Sequence, residues 1–235
     1  MMRKLFNVKL AQRDFSPLAR LRERAGERGT GMTSFITKGR TLIMPVLLLL
    51  IIFAGCSKPA PPLPSHAVDV SWRYEQAAPD FHLRDASGKA RSLSDFRGKV
   101  VVLFFGYTHC PEICPTTLAD LAQVMRKLGK DAEKVQVLFV TLDPERDTPE
   151  VLAKYVPYFY PSFLGLYGDA RATAQAAKTF AVSYEKHADK NGYTLDHSDS
   201  TYLIGKNGRI VLMSPYGQRP DMLVEDIKLL SAMAQ

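Results

Sequence analysis

Cysteine is scarce in this sequence. The 235 residues contain three cysteines: Cys56 stands alone, and Cys110 and Cys114 lie four positions apart in the run GYTHCPEICP. The hydrophobic fraction of 46% is typical of a globular protein and can supply the core of one domain with extensions. The pair of thiols could be a disulfide, a redox centre, a nucleophile with its resolving partner, or two ligands of a metal ion.

Excess basic charge is absent from most of the chain, although the formal net charge is +7. Residues 1–55 hold ten Lys and Arg against three acidic residues, whereas the remainder of the chain holds 21 residues of each sign. A nucleic-acid-binding domain needs a basic stripe on its folded surface. We therefore expect no nucleic-acid partner, and the basic N-terminus indicates targeting.

The sequence also lacks a long hydrophobic run. The apolar run Leu42–Gly55 is short for a membrane-spanning helix, which needs about 20 residues. Lys38 and Arg40 precede it, as in an export signal. The ending FAGC resembles a bacterial lipobox, in which the cysteine, here Cys56, is lipidated, although Phe53 stands where Leu is usual. An uncleaved signal anchor is the alternative, and both would tether the domain to a membrane outside the cytoplasm.

These features divide the chain into four parts. Residues 1–31 are basic and lack core periodicity, so we interpret them as a mis-assigned or disordered extension, with translation starting at Met32. Residues 32–55 form a signal peptide of the lipoprotein type. Residues 56–71 contain the lipid-anchor cysteine and a proline-rich spacer, because dense proline favours an extended conformation. Residues 72–235 are the folded domain, which we expect on the periplasmic or extracytoplasmic face of a bacterial membrane.

Apolar runs and helical periodicity predict an α/β fold. KVVVLFFGY and VQVLFVTLDP are typical of buried parallel strands. Turn residues at 87–89 and 206–209 predict an N-terminal hairpin extension and a later hairpin. Helices are predicted to start at Pro115, with Gly129 at the end, and at Pro149, and two more lie in DARATAQAAKTFAV and RPDMLVEDIKLLSAM. The prediction is a central mixed sheet flanked by helices.

The cysteine pair lies between a predicted strand and a predicted helix. Open α/β sheets carry their sites at the carboxyl ends of strands. A disulfide between Cys110 and Cys114 closes almost no loop and would stabilise the fold little, so chemistry is favoured over a structural link. The positive end of the helix favours a thiolate at Cys114, and a thiolate both binds metals and attacks disulfides.

Three blocks of sequence resemble the Sco/SenC family: GYTHCPEICPTTLADL, VTLDPERDTPEVL and LDHSDSTYLI, in that order. The resemblance implies a thioredoxin-like, membrane-tethered copper protein that assists assembly of cytochrome c oxidase. It implies copper ligation by Cys110, Cys114 and His197. Two thiolates and an imidazole are a soft set that suits Cu(I) and can hold Cu(II), whereas structural zinc requires a fourth ligand. His109 is the nearest spare candidate, and we interpret it as a loop residue.

Three acidic residues are candidates to orient the metal ligands. Asp196 and Asp199 lie close to His197 and could orient its imidazole. In the alternative reading, His197 is a surface histidine in a polar loop, and both acids are equally plausible as solvated residues of that loop. Asp143 follows the second buried strand, where the family's second block carries an acid. It could act near the metal or in partner docking, or it could only form the turn before Pro144.

Two functions remain open from sequence. The first is delivery of copper to the Cu(A)-bearing subunit of cytochrome c oxidase, with other copper chaperones or thioredoxin-like reductants as further candidate partners. The second is thiol–disulfide exchange with Cys110 and Cys114 as a redox disulfide, which would make the protein an enzyme, whereas copper delivery needs no turnover. A thiol peroxidase is a third reading, because CPTT is similar to peroxiredoxin sequences. Copper delivery alone requires His197.

Overall fold

The computed structural model describes residues 63–74, 80–190 and 192–233. In this part of the chain, ten strands and four α-helices follow one another. The strands are β1 (Val68–Asp69), β2 (Leu83–Asp85), β3 (Ala90–Arg91), β4 (Val100–Gly106), β5 (Val135–Thr141), β6 (Leu164–Tyr167), β7 (Tyr184–Asp189), β8 (Gly192–His197), β9 (Thr201–Ile204) and β10 (Ile210–Ser214). The α-helices are α1 (Ile113–Leu128), α2 (Pro149–Phe159), α3 (Ala170–Thr179) and α4 (Pro220–Ala232).

Eight of these strands form one mixed sheet in the order β1-β10-β9-β4-β5-β6-β2-β3. β5 lies parallel to β4 and to β6, while the outer neighbours pair in antiparallel fashion. Every residue of β4 and β5 is buried, as expected for central strands covered on both faces. The predicted mixed sheet, N-terminal hairpin (β2–β3) and later hairpin (β9–β10) are confirmed.

Neighbouring phenylalanines of β4 show how both faces of the sheet are covered. Successive side chains of a strand point to opposite faces. The ring of Phe104 lies 6.1 Å from that of Phe139, whose ring in turn lies 6.1 Å from Tyr155 in α2. The ring of Phe105 lies 5.5 Å from Phe180, directly after α3. Helices therefore pack on both sides of the central strands.

The helix starts and ends predicted from proline, glycine and cap residues agree closely with the structure. α1 starts at Ile113, two residues before the predicted Pro115, and ends at Leu128. It is followed by the cap residue Gly129, whose φ of 57° is easily adopted by glycine. α2 starts at Pro149, and the Thr148 hydroxyl accepts a hydrogen bond from the Val151 backbone N–H. The Thr148 cap starts α2 after the carboxyl end of β5, whereas Gly129 ends α1 near the start of β5.

The hairpin β7–β8 was not predicted. Its two strands pair with each other in a separate two-stranded sheet, from Tyr184 opposite His197 to Asp189 opposite Gly192. The alternative reading of His197 as a histidine within a polar loop does not hold, because His197 is the last residue of β8 and the loop begins after it. β6 was also missed, since LGLY is a short run between two helices.

The folded domain includes residues before the predicted boundary at residue 72. Val68–Asp69 forms β1 against β10, and Ala67 and Val70 are buried. Residues 1–31 and 32–55 and the anchor position Cys56 lie outside the described residues. Among residues that the structure describes, no helix is long and apolar enough to cross a membrane.

The buried carboxylate of Asp226 in α4 anchors this early segment. It accepts the backbone N–H of His66 at 2.7 Å, that of Ala67 at 3.0 Å and the Gln218 side-chain amide at 2.9 Å. Asp226 is 1% exposed, so water could not easily take its place as the acceptor for these N–H groups. The end of the proline-rich segment is therefore part of the folded domain.

We expect Asp226→Ala to lower the free energy of unfolding by about 1–3 kcal/mol, because it leaves buried N–H donors without an acceptor. Chemical denaturation of the fragment 60–235 measures this change. Asp221→Ala is the matched control, since Asp221 in the same helix is exposed and pairs with Lys127 and Arg219 at the surface. Equal losses in the two variants would contradict the anchoring role of Asp226.

Candidate metal centre

The cysteine loop joins the end of β4 to the start of α1. Cys110 lies in the loop and is partly exposed, whereas Cys114 lies in the first turn of α1 and is fully buried. A Cβ atom at Gly106, the last residue of β4, would lie 2.8 Å from Cys114 Sγ. Glycine at this position therefore lets the buried thiol approach the end of the strand closely.

Asp147 holds the cysteine loop against the end of β5. Its carboxylate accepts hydrogen bonds from the Thr108 backbone N–H at 3.0 Å, the Thr108 hydroxyl at 2.6 Å and the Thr141 hydroxyl at 2.6 Å. Asp147 is 1% exposed. Two loops that are distant in sequence are thus fixed side by side at the carboxyl edge of the sheet.

His197 reaches the thiols from the end of β8. Its ring packs edge-on near Tyr107, at 5.9 Å between ring centroids, and near Phe104 at 6.3 Å. Nδ1 lies 2.8 Å from the carbonyl oxygen of Ser198, to which it donates when protonated. Nε2 lies 3.4 Å from Cys114 Sγ. The backbone contact therefore leaves Nε2 as the nitrogen available to a metal ion.

The structure brings the three predicted ligands together. Sγ of Cys110, Sγ of Cys114 and a ring nitrogen of His197 all lie within 4.8 Å of one another. Two sulfur donors and one imidazole suit copper, and within residues 63–74, 80–190 and 192–233 this cluster contains no fourth ligand of the kind that structural zinc requires. The donor set thus fits the metal that the resemblance implies.

The two thiols differ in acidity. A hydrogen bond from the Cys114 thiol lowers the pKa of Cys110 well below its ordinary value, helped by His197 and by the Cys114 backbone N–H at 3.4 Å. The hydrogen bond to Cys110 and burial both raise the pKa of Cys114. The expectation of a thiolate at Cys114 is therefore wrong for the metal-free protein, because the helix start serves the Cys110 sulfur.

The groups around its ring shift the pKa of His197. Burial opposes the charge, but hydrogen bonds with Cys110 and with the Ser198 carbonyl raise the pKa of His197 above its ordinary value. The negative charge of Asp199 acts in the same direction. A metal ion bound to the ring would take the place of the proton on His197.

The remaining residues proposed from the sequence, Asp196, Asp143 and His109, each contact a different part of the structure. Asp196 is exposed and its carboxylate lies 3.2 Å from His187 Nε2. Asp143 is buried and binds Arg146 and the Tyr193 hydroxyl. His109 lies 3.2 Å from the Thr108 hydroxyl and does not belong to the cluster of ligand atoms.

Sequence reasoning missed the contacts that join the hairpin to the loops. Tyr107 directly follows β4, and its hydroxyl accepts the backbone N–H of Leu195 in β8 at 3.3 Å. Arg146 donates to the carbonyl oxygen of Tyr193 at 2.9 Å, across 47 positions of sequence. In the sequence, these contacts could have been suspected only from Tyr107, the aromatic residue before the cysteine loop. Its partner in the hairpin could not be named, because the hairpin itself was not predicted.

Fold and site together define a thioredoxin-like domain that carries a dithiol and a histidine at the carboxyl edge of its central strands. Residues 72–232 match the protein family described as SCO1/SenC. The match covers more than half of the chain, and the chain belongs to the SCO1/SenC family. The resemblance noted in the sequence is confirmed.

Individual relatives agree with this assignment. The chain is 46% identical over 134 residues to the human mitochondrial SCO2 homolog, covering 55% of this chain and 50% of that protein. It is 35% identical over 184 residues to a SCO2-like protein of Rickettsia prowazekii, covering 76% of this chain and 89% of that protein. The structure of Bradyrhizobium japonicum ScoI with copper bound aligns at a TM-score of 0.61 and 39% identity, covering 64% and 97%. The match thus spans about half the length of the human relative.

We expect Cys110 to be alkylated before Cys114 in the reduced, metal-free fragment 60–235. A lowered pKa keeps Cys110 as thiolate as the pH falls, whereas an ordinary thiol with a pKa of about 8.5 loses roughly tenfold in thiolate per pH unit below it. Mass spectrometry after iodoacetamide treatment between pH 5 and 8 measures both rates. Faster labelling of Cys114, or a Cys110 rate that falls tenfold per unit from pH 8, would contradict the assigned acidities.

Proposed function

We propose that this protein binds copper through Cys110, Cys114 and His197 and delivers it to the Cu(A) site during assembly of cytochrome c oxidase. One observation carries the proposal: two thiol sulfurs and an imidazole nitrogen converge within 4.8 Å at the edge of a thioredoxin-like domain. Membership of the SCO1/SenC family and the copper-bound relative from Bradyrhizobium japonicum support it.

The site is open enough to exchange a metal ion. A cleft of about 400 Å³ is lined in part by Tyr107, Cys110, Ile113, Leu195 and His197. A recipient's own thiolates and imidazoles could enter it and replace the donor's ligands one at a time, because both sites offer the same soft donors. This favours transfer over storage.

The proposed setting follows from the N-terminus. In our proposal, Cys56 carries the lipid of a bacterial lipoprotein and tethers the domain at the periplasmic or extracytoplasmic membrane face. A tether raises the effective concentration of the domain near a membrane-bound recipient, so weak docking suffices. The recipient is the Cu(A)-bearing oxidase subunit, and other copper chaperones or thioredoxin-like reductants are candidate partners that load or reduce the site.

We expect the fragment 60–235 to bind one copper ion per chain, with thiolate-to-copper charge-transfer absorption in the Cu(II) form. Metal analysis and absorption spectroscopy measure both. His197→Ala removes one ligand and should weaken Cu(II) binding and shift the absorption. His187→Ala is the matched control, because His187 is an exposed histidine on the same hairpin. Stoichiometric copper retained by a Cys110→Ala/Cys114→Ala variant would reject the assignment.

A second candidate function is thiol–disulfide exchange. The partly exposed Cys110 has a lowered pKa, and the buried Cys114 has a raised one, which suits an attacking and a resolving thiol. In exchange, the Cys110 thiolate attacks a partner disulfide and releases one partner thiolate. Cys114 then displaces the second partner sulfur, which leaves the partner reduced and the pair oxidised. This chemistry needs both thiols but not metal ligation by His197.

Replacing His197 separates the two functions in cells. In a bacterial strain that lacks its own copy and grows at low copper, we expect the wild-type and His187→Ala genes to restore cytochrome c oxidase activity. His197→Ala should fail to restore this activity, because the copper site would lack its nitrogen ligand. Added copper should partly restore oxidase activity to the strain that lacks the protein. Full restoration by His197→Ala at low copper would reject copper delivery and favour thiol–disulfide exchange.

A further inference from the structure

The hairpin that carries His197 has few contacts of its own with the rest of the domain. All six residues of β7 are exposed, and among the described residues β7 pairs with β8 and with no strand of the main sheet. In β8, Leu195 is the one fully buried residue. A lone two-stranded hairpin is marginally stable in water. The position of His197 therefore depends on the contacts that dock this hairpin.

Arg146 makes several of these contacts at once, next to the exposed ion pair of Lys186 in β7 with Glu145. Its Nε donates to one carboxylate oxygen of Asp143, and its Nη1 donates to the carbonyl oxygen of Tyr193 at 2.9 Å. The guanidinium carbon also lies 3.6 Å from the centre of the Tyr193 ring. The Tyr193 hydroxyl completes the arrangement by donating to the other oxygen of Asp143 at 2.7 Å. We call Arg146, Asp143 and Tyr193 the arginine clamp.

The arginine clamp also faces the cysteine loop. The Arg146 guanidinium carbon lies 5.8 Å from the centre of the Tyr107 ring, and the Tyr107 hydroxyl accepts the backbone N–H of Leu195. Asp143 and Arg146 themselves belong to the segment that leads from β5 to Asp147, the residue that holds the cysteine loop. One guanidinium thus touches the hairpin and the segments that support the cysteines.

The alternation of β8 connects the clamp to the metal ligand. Tyr193, Leu195 and His197 are alternate residues of one strand and share a face. Tyr193 is held by the arginine clamp, Leu195 is buried, and His197 follows at the end of the strand. Contacts that hold Tyr193 therefore restrict the movement of β8. The position of His197 relative to the two thiols is restricted with it.

We propose that Arg146 is a positioning residue that holds the β7–β8 hairpin against the cysteine loop and so keeps His197 within reach of Cys110 and Cys114. The inference deepens the proposed copper site and rests on it. Lysine cannot replace this arginine fully, because the clamp uses two nitrogens of a planar fork and the stacking of that plane on an aromatic ring.

Arg146→Lys in the full chain tests the proposal, with Arg84→Lys as the control. Arg84 is an exposed arginine of β2 that donates to the Gly88 carbonyl, outside the clamp. We expect amide hydrogen exchange in β7 and β8 of the metal-free Arg146→Lys chain to rise by ~10-fold or more, while β4 and β5 keep their protection. Cu(II) affinity should fall by ~10- to 100-fold, as for other residues that orient metal ligands.

A milder variant covers the case in which Arg146→Lys does not fold. Tyr193→Phe removes one hydroxyl from Asp143 and keeps the ring, so it should loosen the same amides to a smaller extent. Unchanged exchange in β7 and β8, equal loosening of the whole domain, or wild-type Cu(II) affinity despite a loosened hairpin would each overturn the role of Arg146. Failure of the wild-type chain to bind copper would instead reject the proposed function, while the metal-free exchange pattern would still report on the clamp.

Discussion

The parallel pairing of β4 with β5 determines where the parts of the candidate site lie. Because the two strands run in the same direction, their carboxyl ends meet at one edge, with Gly106 paired with Thr141. The cysteine loop leaves one strand there, and the segment containing Asp143 and Asp147 leaves the other. The buried carboxylate of Asp147 then joins the two segments, and the hairpin docks on both.

This arrangement gives the two cysteines different environments. Cys110 is partly exposed beside a cleft, whereas Cys114 is enclosed beneath the end of β4. This difference suits both copper binding and thiol–disulfide exchange. The accessible sulfur of Cys110 can meet an incoming ligand or disulfide, while the enclosed sulfur of Cys114 is held in place next to it. His197 adds the donor that distinguishes a metal site from a simple dithiol.

Much of the fold was predictable because its signals are local. The apolar runs of β4 and β5, the Thr148 cap and Gly129 each act within a few residues, and the family blocks pointed to the three candidate ligands that the structure brings together. The hairpin was not predictable, because YEKHAD is exposed throughout and shows no apolar alternation. The contacts of Arg146 with Tyr193 and the acidity of Cys110 depend on residues brought together only by folding.

X-ray absorption spectroscopy of the copper-loaded protein tests the central claim most directly, because it counts the atoms bound to the metal. The account predicts two sulfur neighbours and one imidazole nitrogen for copper in the wild-type protein, with the nitrogen contribution lost in His197→Ala. A wild-type spectrum with no nitrogen neighbour, with a single sulfur, or with neighbours unchanged by His197→Ala would contradict a site built from Cys110, Cys114 and His197.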